Sequence, residues 1–423
     1  MRIGAEAAAA AQAARGRLRG ALALELGAVE HVVEGHACAA VEGALAHVPL
    51  IVKDVLDVGG VPTTAGSVGW VRRPLEDAAS VGTLRRAGAV VVAKGHANEW
   101  ALGIDGRNPH RAPCRHPEDP ERLPGGSSSG PAAAVAAGLV AAGLGTDTRG
   151  SLRVPAALCG VVALRPTHGA VSTTGCVALA PTYDVVGPIA GSIAGVVALQ
   201  AVLTGDAALR SAPQRPVAGV TVVVVGHRED RPALCAAVDV LRQAGARMVT
   251  LQPRLFRDAG TLHTIVQLSE AAATHAHRWP RQEYAPEVRE RIERGRQISA
   301  WSYLEAQRVR RELVGELFAQ MRGVGADALL TITTDSVAPR RDGDAAGDRA
   351  NLLRQVVPLS QTGGPVLAVP AVRDSSTGLP LGVQLAGPPR SEALLLALGG
   401  AIERALPAAG APPSGAEAAR WWP

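Results

Sequence analysis

Two lysines and a group of clustered serines are the residues in this sequence best placed to do covalent chemistry. Of 43 basic side chains only Lys53 and Lys94 are lysine, so 41 are arginine. Phe, Tyr, Met and Asn are scarce as well, while Ala, Gly and Arg abound. This looks like the drift of a GC-rich genome, which replaces Lys by Arg wherever charge alone matters. A lysine kept against that drift is a candidate for work arginine cannot do, because a guanidinium does not release its proton. Lys53 closes the apolar run that begins at Leu50. At the end of a buried strand it is desolvated, which favours the neutral amine and makes a usable base. Ser127 and Ser128 sit in Gly125-Gly-Ser-Ser-Ser-Gly130, and Ser151 in Gly145-Thr-Asp-Thr-Arg-Gly-Ser-Leu-Arg-Val-Pro-Ala156. Ser151 lies in a Gly-flanked turn shortly before Pro155, a first-turn residue of a helix. There its hydroxyl is exposed and neighbouring backbone N–H groups point outward, the geometry of an oxyanion hole. A serine nucleophile with a lysine base and no credible His/Asp pair makes a Ser-Lys hydrolase. Each piece alone also has a plainer reading: a flexible loop or helix cap, a solvated strand end, an N-cap serine.

Strand-like and helix-like segments alternate around these residues. Residues 47–52 and 89–93 read as strands, and 78–87 as a helix between them. A Pro/Arg/His-rich loop over 106–124 leads into the glycine-serine segment, and 131–142 reads as a helix capped among those serines. Further strands are predicted at 157–164, 220–225 and 248–251, and amphipathic helices at 231–244 and 301–321. The alternation argues for an α/β fold with a mixed, largely parallel central sheet covered by helices. No internal repeat or linker appears, so a single domain over 1–423 is the expectation, with a Pro/Ala/Gly tail at 407–416 before Trp421-Trp422-Pro423.

Composition excludes several classes. With 47% hydrophobic and 19% charged residues the chain is not disordered. Five cysteines (38, 114, 159, 176 and 235) without a CxxC pair make neither a disulfide scaffold nor a zinc ribbon, and a reducing cytoplasm fits them best. The net charge of +5 comes from scattered arginines without interleaved aromatics, so no nucleic-acid partner is expected. The apolar stretch 132–144 is too short to span a bilayer, and the Ala-rich N-terminal helix lacks the apolar core of a signal peptide. His96, His110 and His116 match no metal template, 220–226 lacks a dinucleotide fingerprint, and Cys159 reads as a small buried residue.

In order and separation, the segments resemble the motifs of the amidase signature family, Ser-Ser-Lys amidohydrolases. Lys53-Asp54 with Gly60-Val-Pro-Thr-Thr-Ala-Gly-Ser67 looks like its lysine motif, and Lys94-Gly-His-Ala-Asn-Glu-Trp100 like its Lys-Thr-Asn-x-x-Glu segment. Segments 125–130 and 145–156 resemble the signature itself, followed by Cys159-Gly160 and Leu164-Arg-Pro-Thr167. Pro181-Thr-Tyr-Asp-Val-Val-Gly-Pro188 and Gly378-Leu-Pro-Leu-Gly-Val-Gln384 match later segments, and the two serines stand 24 residues apart, as in the family. The resemblance implies the amidase signature fold, with helices on both faces of the sheet, a motif core at about 47–190 and a more variable region at about 205–325. It implies Ser151 as nucleophile, Ser127 as a bridging serine after a cis peptide bond, and Lys53 as base. Backbone N–H groups of Thr148, Arg149, Gly150 and Ser151 would hold the oxyanion, with Ser128, Asp147 and Arg153 in support and no metal or cofactor. The implied reaction is hydrolysis of a small-molecule carboxamide through an acyl-enzyme. Acyl transfer to an amine, a catalytically silent binding homologue and an amidotransferase subunit stay open, as does a homodimer. Two departures stand out: Arg149 where the family has Gly, with a left-handed backbone or a substrate contact as alternatives, and Thr331-Ile-Thr-Thr334 where it has Thr-Pro-Thr.

Overall fold

Most strands of this chain are continuous apolar runs rather than alternating ones, which requires cover on both faces of the sheet. The computed structural model describes residues 2–20, 25–34, 43–226 and 231–409. Eleven strands among them form one sheet: β1 (Val29–Val32), β2 (Pro49–Lys53), β3 (Val90–Gly95), β4 (Ala142–Asp147), β5 (Val162–Arg165), β6 (Val185–Ala190), β7 (Thr221–Val225), β8 (Arg247–Leu251), β9 (Ala328–Ile332), β10 (Val366–Arg373) and β11 (Pro380–Ala386). Their spatial order is β1-β3-β2-β4-β6-β5-β10-β11-β9-β7-β8. The sheet is mixed. Parallel pairing is confined to β3-β2-β4 and β9-β7-β8, near the two ends. Between them the pairs are antiparallel, so the parallel share is smaller than strand–helix alternation predicts. The reason is local: no helix separates β5 from β6 or β10 from β11, and without a crossover helix consecutive strands pair antiparallel.

The helices are α1 (Arg2–Arg19), α2 (Ala79–Arg86), α3 (Ser129–Ala136), α4 (Arg153–Cys159), α5 (Ile193–Thr204), α6 (Pro232–Gln243), α7 (Leu255–Thr274), α8 (Pro286–Arg296), α9 (Ala300–Gly323), α10 (Ala345–Leu353), α11 (Val356–Ser360) and α12 (Glu392–Ala405). Strand alternation sends neighbouring side chains to opposite helix layers. Leu50 and Val52 of β2 pack with Val81 of α2, Val266 of α7 and Ile292 of α8. Ile51 packs on the other face, with Leu18 of α1, Ala132 of α3 and Ala156 of α4. In β7, Val222 and Val224 meet Leu234 of α6 and Leu395 of α12, while Val223 and Val225 meet Leu255 of α7 and Leu313 of α9. Each such Val, Leu or Ile side chain contributes about 1.5–3 kcal/mol by leaving water.

Two expected elements change type. The helix expected over 131–142 ends at Ala136, Gly138 turns the chain at φ +68°, and the last expected residue begins β4. The strand expected over 157–164 starts as α4, stops at Gly160 with φ +70°, and only then becomes β5. Both are short apolar runs, in which buried helix and buried strand look alike. No helix among the described residues is long and apolar enough to cross a membrane. Cys38 and residues 410–423, including most of the expected tail, lie outside the described residues.

Candidate active site

Lys53 is the last residue of β2 and is fully buried. Its Nζ lies 2.8 Å from Ser127 Oγ and 2.7 Å from Thr146 Oγ1, on the neighbouring strand β4. Removal from water pulls the Lys53 pKa down to about 7, although the carboxylates of Asp147 and Asp184 act in the opposite sense. Lys94, on β3, has a different setting. It forms a buried ion pair with Asp54 at 2.8 Å and contacts Thr63 Oγ1 at 3.0 Å. Asp54 in turn accepts from the Thr64 N–H at 3.0 Å, so this pair fixes the turn that follows Lys53.

Ser127 follows a cis Gly126–Ser127 peptide bond. Ser128 stands at the N-cap position of α3 but makes no cap with its side chain. Its hydroxyl donates instead to the Thr146 carbonyl at 3.2 Å, and its N–H donates to the Ser151 carbonyl at 3.2 Å. These contacts tie the Ser127 loop to the turn carrying Ser151. The turn joins β4 to α4, and Ser151 is 4% exposed.

Asp147 organises that turn. Its carboxylate accepts from the Gly150 N–H at 2.7 Å, the Leu152 N–H at 3.2 Å, Arg153 Nε at 3.0 Å and Arg165 Nη1 at 3.1 Å. Burial alone would raise its pKa, but Arg153 and Arg165 hold it well below the usual carboxylate range. Arg153 reaches further, to the Val356 carbonyl at 2.9 Å, Gln384 Oε1 at 3.0 Å and Ser360 Oγ at 2.7 Å. The later motif segments 164–167 and 378–384 therefore converge on the loop through Arg165 and Gln384.

The expected oxyanion donors separate into two groups. The Gly150 N–H is engaged by Asp147, which corrects its place among them. The N–H groups of Thr148, Arg149 and Ser151 have no acceptor among the described residues. The left-handed residue of the turn is Gly150, at φ +116°, and Arg149 does not have positive φ. The left-handed alternative for Arg149 is therefore set aside, and its Nη1 donates to Gln267 Oε1 at 2.8 Å.

Comparison with known proteins fits this arrangement. The amidase family model matches residues 21–396. The chain belongs to the amidase family. It is 35% identical, over 86% of its length and 83% of the relative's, to a glutamyl-tRNA(Gln) amidotransferase subunit of Chloroflexus aurantiacus. A crystal structure of an amidase is 31% identical with a TM-score of 0.84, covering 94% of this chain and 95% of that one. Native peptide amidase from Stenotrophomonas maltophilia is 27% identical with a TM-score of 0.82, covering 96% and 95%. The protein is an amidase, acting on amide C–N bonds.

Several partners in this amidase were not marked out by sequence reasoning. Thr146 is the second contact of Lys53, and its place next to Asp147 was the available signal. Asp184 accepts from Thr148 Oγ1 at 2.6 Å. His263 and Gln267, one turn apart on α7, lie against the Thr148 carbonyl at 3.2 Å and Arg149 respectively; nothing in their sequence surroundings announced this. The three loop histidines have separate structural contacts: His96 with Ser129 Oγ at 3.0 Å, His116 with the Leu158 carbonyl at 2.8 Å, and His110 facing Glu99 at 3.5 Å. Cys159 is buried, its Sγ 3.4 Å from the Pro124 carbonyl.

Proposed function

We propose that this amidase hydrolyses a small carboxamide through an acyl-enzyme on Ser151, with Ser127 as proton bridge and Lys53 as base. Ser151 Oγ attacks the amide carbonyl carbon, its proton passing to Ser127 Oγ as Ser127 passes its own to neutral Lys53 Nζ. Backbone N–H groups of Thr148, Arg149 and Ser151 stabilise the resulting oxyanion. The proton returns from Lys53 through Ser127 to the departing nitrogen, which leaves as ammonia or an amine. Water then adds to the acyl ester by the same route, giving a carboxylic acid and free Ser151.

The observation that carries this reading is the buried 2.8 Å contact between Lys53 Nζ and Ser127 Oγ, with the lysine brought to about 7. At that value about half of the amine is free to accept a proton at neutral pH. Asp147 and Arg153 act as braces, which their mutual contact and burial support. A cytoplasmic location and a small-molecule substrate complete the reading. The amidotransferase relatives are named as subunits, so assembly with another chain is a further expectation.

The test is labelling by a fluorophosphonate followed by peptide mapping, together with ammonia release from a panel of primary amides. Adduct on Ser151 and its loss in Ser151→Ala support the mechanism. An adduct on a different residue, with Ser151→Ala still turning over, refutes it.

A further inference from the structure

Helix α5 is apolar from Ile193 to Leu203 except for one side chain, the amide of Gln200. Its neighbours divide between two cores. Leu199 packs in the core shared with α2 and β2, and Val196, Val197 and Ala201 in the one shared with β5 and α12. Gln200 is fully buried, and neither its Oε1 nor its Nε2 has a hydrogen-bond partner among the described residues. Exchanging the two ends by a flip of the amide changes nothing, since both are unpaired. A buried amide left in this way is unfavourable at each end, so it calls for a partner from outside the chain.

Gln200 lines a cavity of about 610 Å³ bounded by the loop after β5, the C-terminal end of α5 and the start of α12. That volume suits a small molecule. Most of its other polar groups are already engaged. The Thr167 N–H donates to Glu392 Oε1 at 2.9 Å, and Thr167 Oγ1 accepts from the Arg390 N–H at 2.8 Å. Thr204 Oγ1 donates to the main-chain carbonyl of Gln200 at 2.8 Å, and Asp206 Oδ1 accepts from the Ala208 N–H at 3.0 Å. Leu209, Pro389 and Ala393 add apolar wall. Each ordered water needs about two to four polar partners, so water alone fills such a space poorly. A molecule with an apolar body and a single amide-like edge fits it better. Lys53, Ser127 and Ser151 do not line this cavity, which sets it apart from the catalytic centre.

We propose that this cavity is a second, non-catalytic ligand site for a small planar molecule carrying a lactam-type edge, in which an N–H and a C=O stand side by side. Gln200 Nε2 donates to the ligand carbonyl while Oε1 accepts from its N–H, the paired pattern by which a side-chain amide reads the edge of a base. The ring lies against Leu209 and Ala393. No bond is made or broken there, and the site does not depend on the Ser151 mechanism.

The probes are 2-pyridone and uracil, with 1-methyl-2-pyridone as the control that keeps the carbonyl and lacks the N–H. Each is titrated calorimetrically into the wild-type chain, and crystals soaked with 2-pyridone locate it. The lactam is expected within hydrogen-bond distance of Gln200, and to bind at least about 10-fold more tightly than its methylated control, the loss of paired neutral hydrogen bonds. Gln200→Met keeps the length of the side chain and removes both polar ends. It should bring 2-pyridone down to the affinity of the control, with a melting temperature no lower than that of wild type. Ala393→Leu fills the cavity from the opposite wall and should weaken binding likewise, which keeps the test intact where Gln200→Met does not fold. Equal affinity for 2-pyridone and its methylated control overturns the proposal, as does unchanged binding in a folded variant. Density at the serine loop instead of at α5, or no binding of either probe by wild type, overturns it too.

Discussion

If Lys53 is held neutral by burial, the protein's stability should report it independently of catalysis. The folded pKa is about 7 against an ordinary 10.5, and both refer to the same amine. That separation of about 3.5 pH units corresponds to about 5 kcal/mol. Because the folded pKa is depressed, the unfolded chain binds the extra proton between the two values. The unfavourable contribution is absent above pH 10.5, grows as pH falls, and is complete below about 7. Lys53→Met removes it. The variant also leaves Ser127 and Thr146 without their amine partner, a cost of about 1–3 kcal/mol that does not vary with pH in this range. The sign of the variant's effect at one pH is therefore not the test; its slope is.

Urea unfolding of wild type and Lys53→Met at pH 7, 8 and 9 should show wild type gaining about 1 kcal/mol per pH unit relative to the variant, more steeply in the upper half of that range. Titrating groups away from Lys53 are common to both chains and cancel in the difference. In kinetics, kcat/KM should reach half its plateau near pH 7, fall tenfold per unit below, and persist on the alkaline side. A stability difference that stays constant from pH 7 to 9 would mean that Lys53 remains charged in the fold, and the base assignment would fail with it.

Four further outcomes follow from the same contacts. Lys53→Arg should be nearly as inactive as Lys53→Met, since guanidinium keeps the charge and does not accept the Ser127 proton; ammonia release measures it. Lys94→Met breaks the buried pair with Asp54 and should cost about 3–5 kcal/mol in urea unfolding, with turnover per folded molecule reduced far less than in Lys53→Met. Asp147→Asn leaves Arg153 and Arg165 without their carboxylate, so a destabilisation of about 3–5 kcal/mol and loss of turnover are expected in the same two assays. Gly150→Ala meets both φ +116° and Val356 Cγ2 at 2.5 Å, and should cost at least about 1–2 kcal/mol and lower kcat; an unchanged melting temperature would contradict it.

Much of the site was legible because its chemistry is local in the chain. Lys53 at the end of an apolar run and serines among glycines stand out in the sequence itself, whereas Ser127 and Asp147 were singled out through the resemblance to the amidase signature motifs. The strands at 49–53, 90–95 and 221–225 were legible too, since long apolar β-branched runs fold in one way when both faces are covered. What escaped was decided at long range. The boundary between α4 and β5 depends on a left-handed Gly160 inside an apolar run, which composition does not distinguish from a continuous strand. The antiparallel centre of the sheet depends on connections without helices. His263 and Gln267 reach the turn between β4 and α4 from 115 and 118 residues away, through the packing of α7 on the sheet. No periodicity encodes that contact.

The two retained lysines show why residue chemistry reached further here than secondary-structure pattern. Both are fully buried, both end or nearly end adjacent parallel strands, and their sequence surroundings are similar. Their contacts differ: Lys94 faces the Asp54 carboxylate at 2.8 Å, while Lys53 donates to two hydroxyls. A carboxylate at contact distance favours the ammonium, and hydroxyls at the same distance compensate a charge far less. The two buried lysines therefore do different work: Lys94 fixes the turn after β2 through Asp54, while burial favours the neutral amine of Lys53. Arginine cannot replace Lys53 for want of a removable proton. At Lys94 the obstacle is space, because a forked guanidinium must fit between Asp54, Thr63 and the Pro62 carbonyl, 3.3 Å from Nζ. The same substitution thus separates a chemical requirement from a steric one.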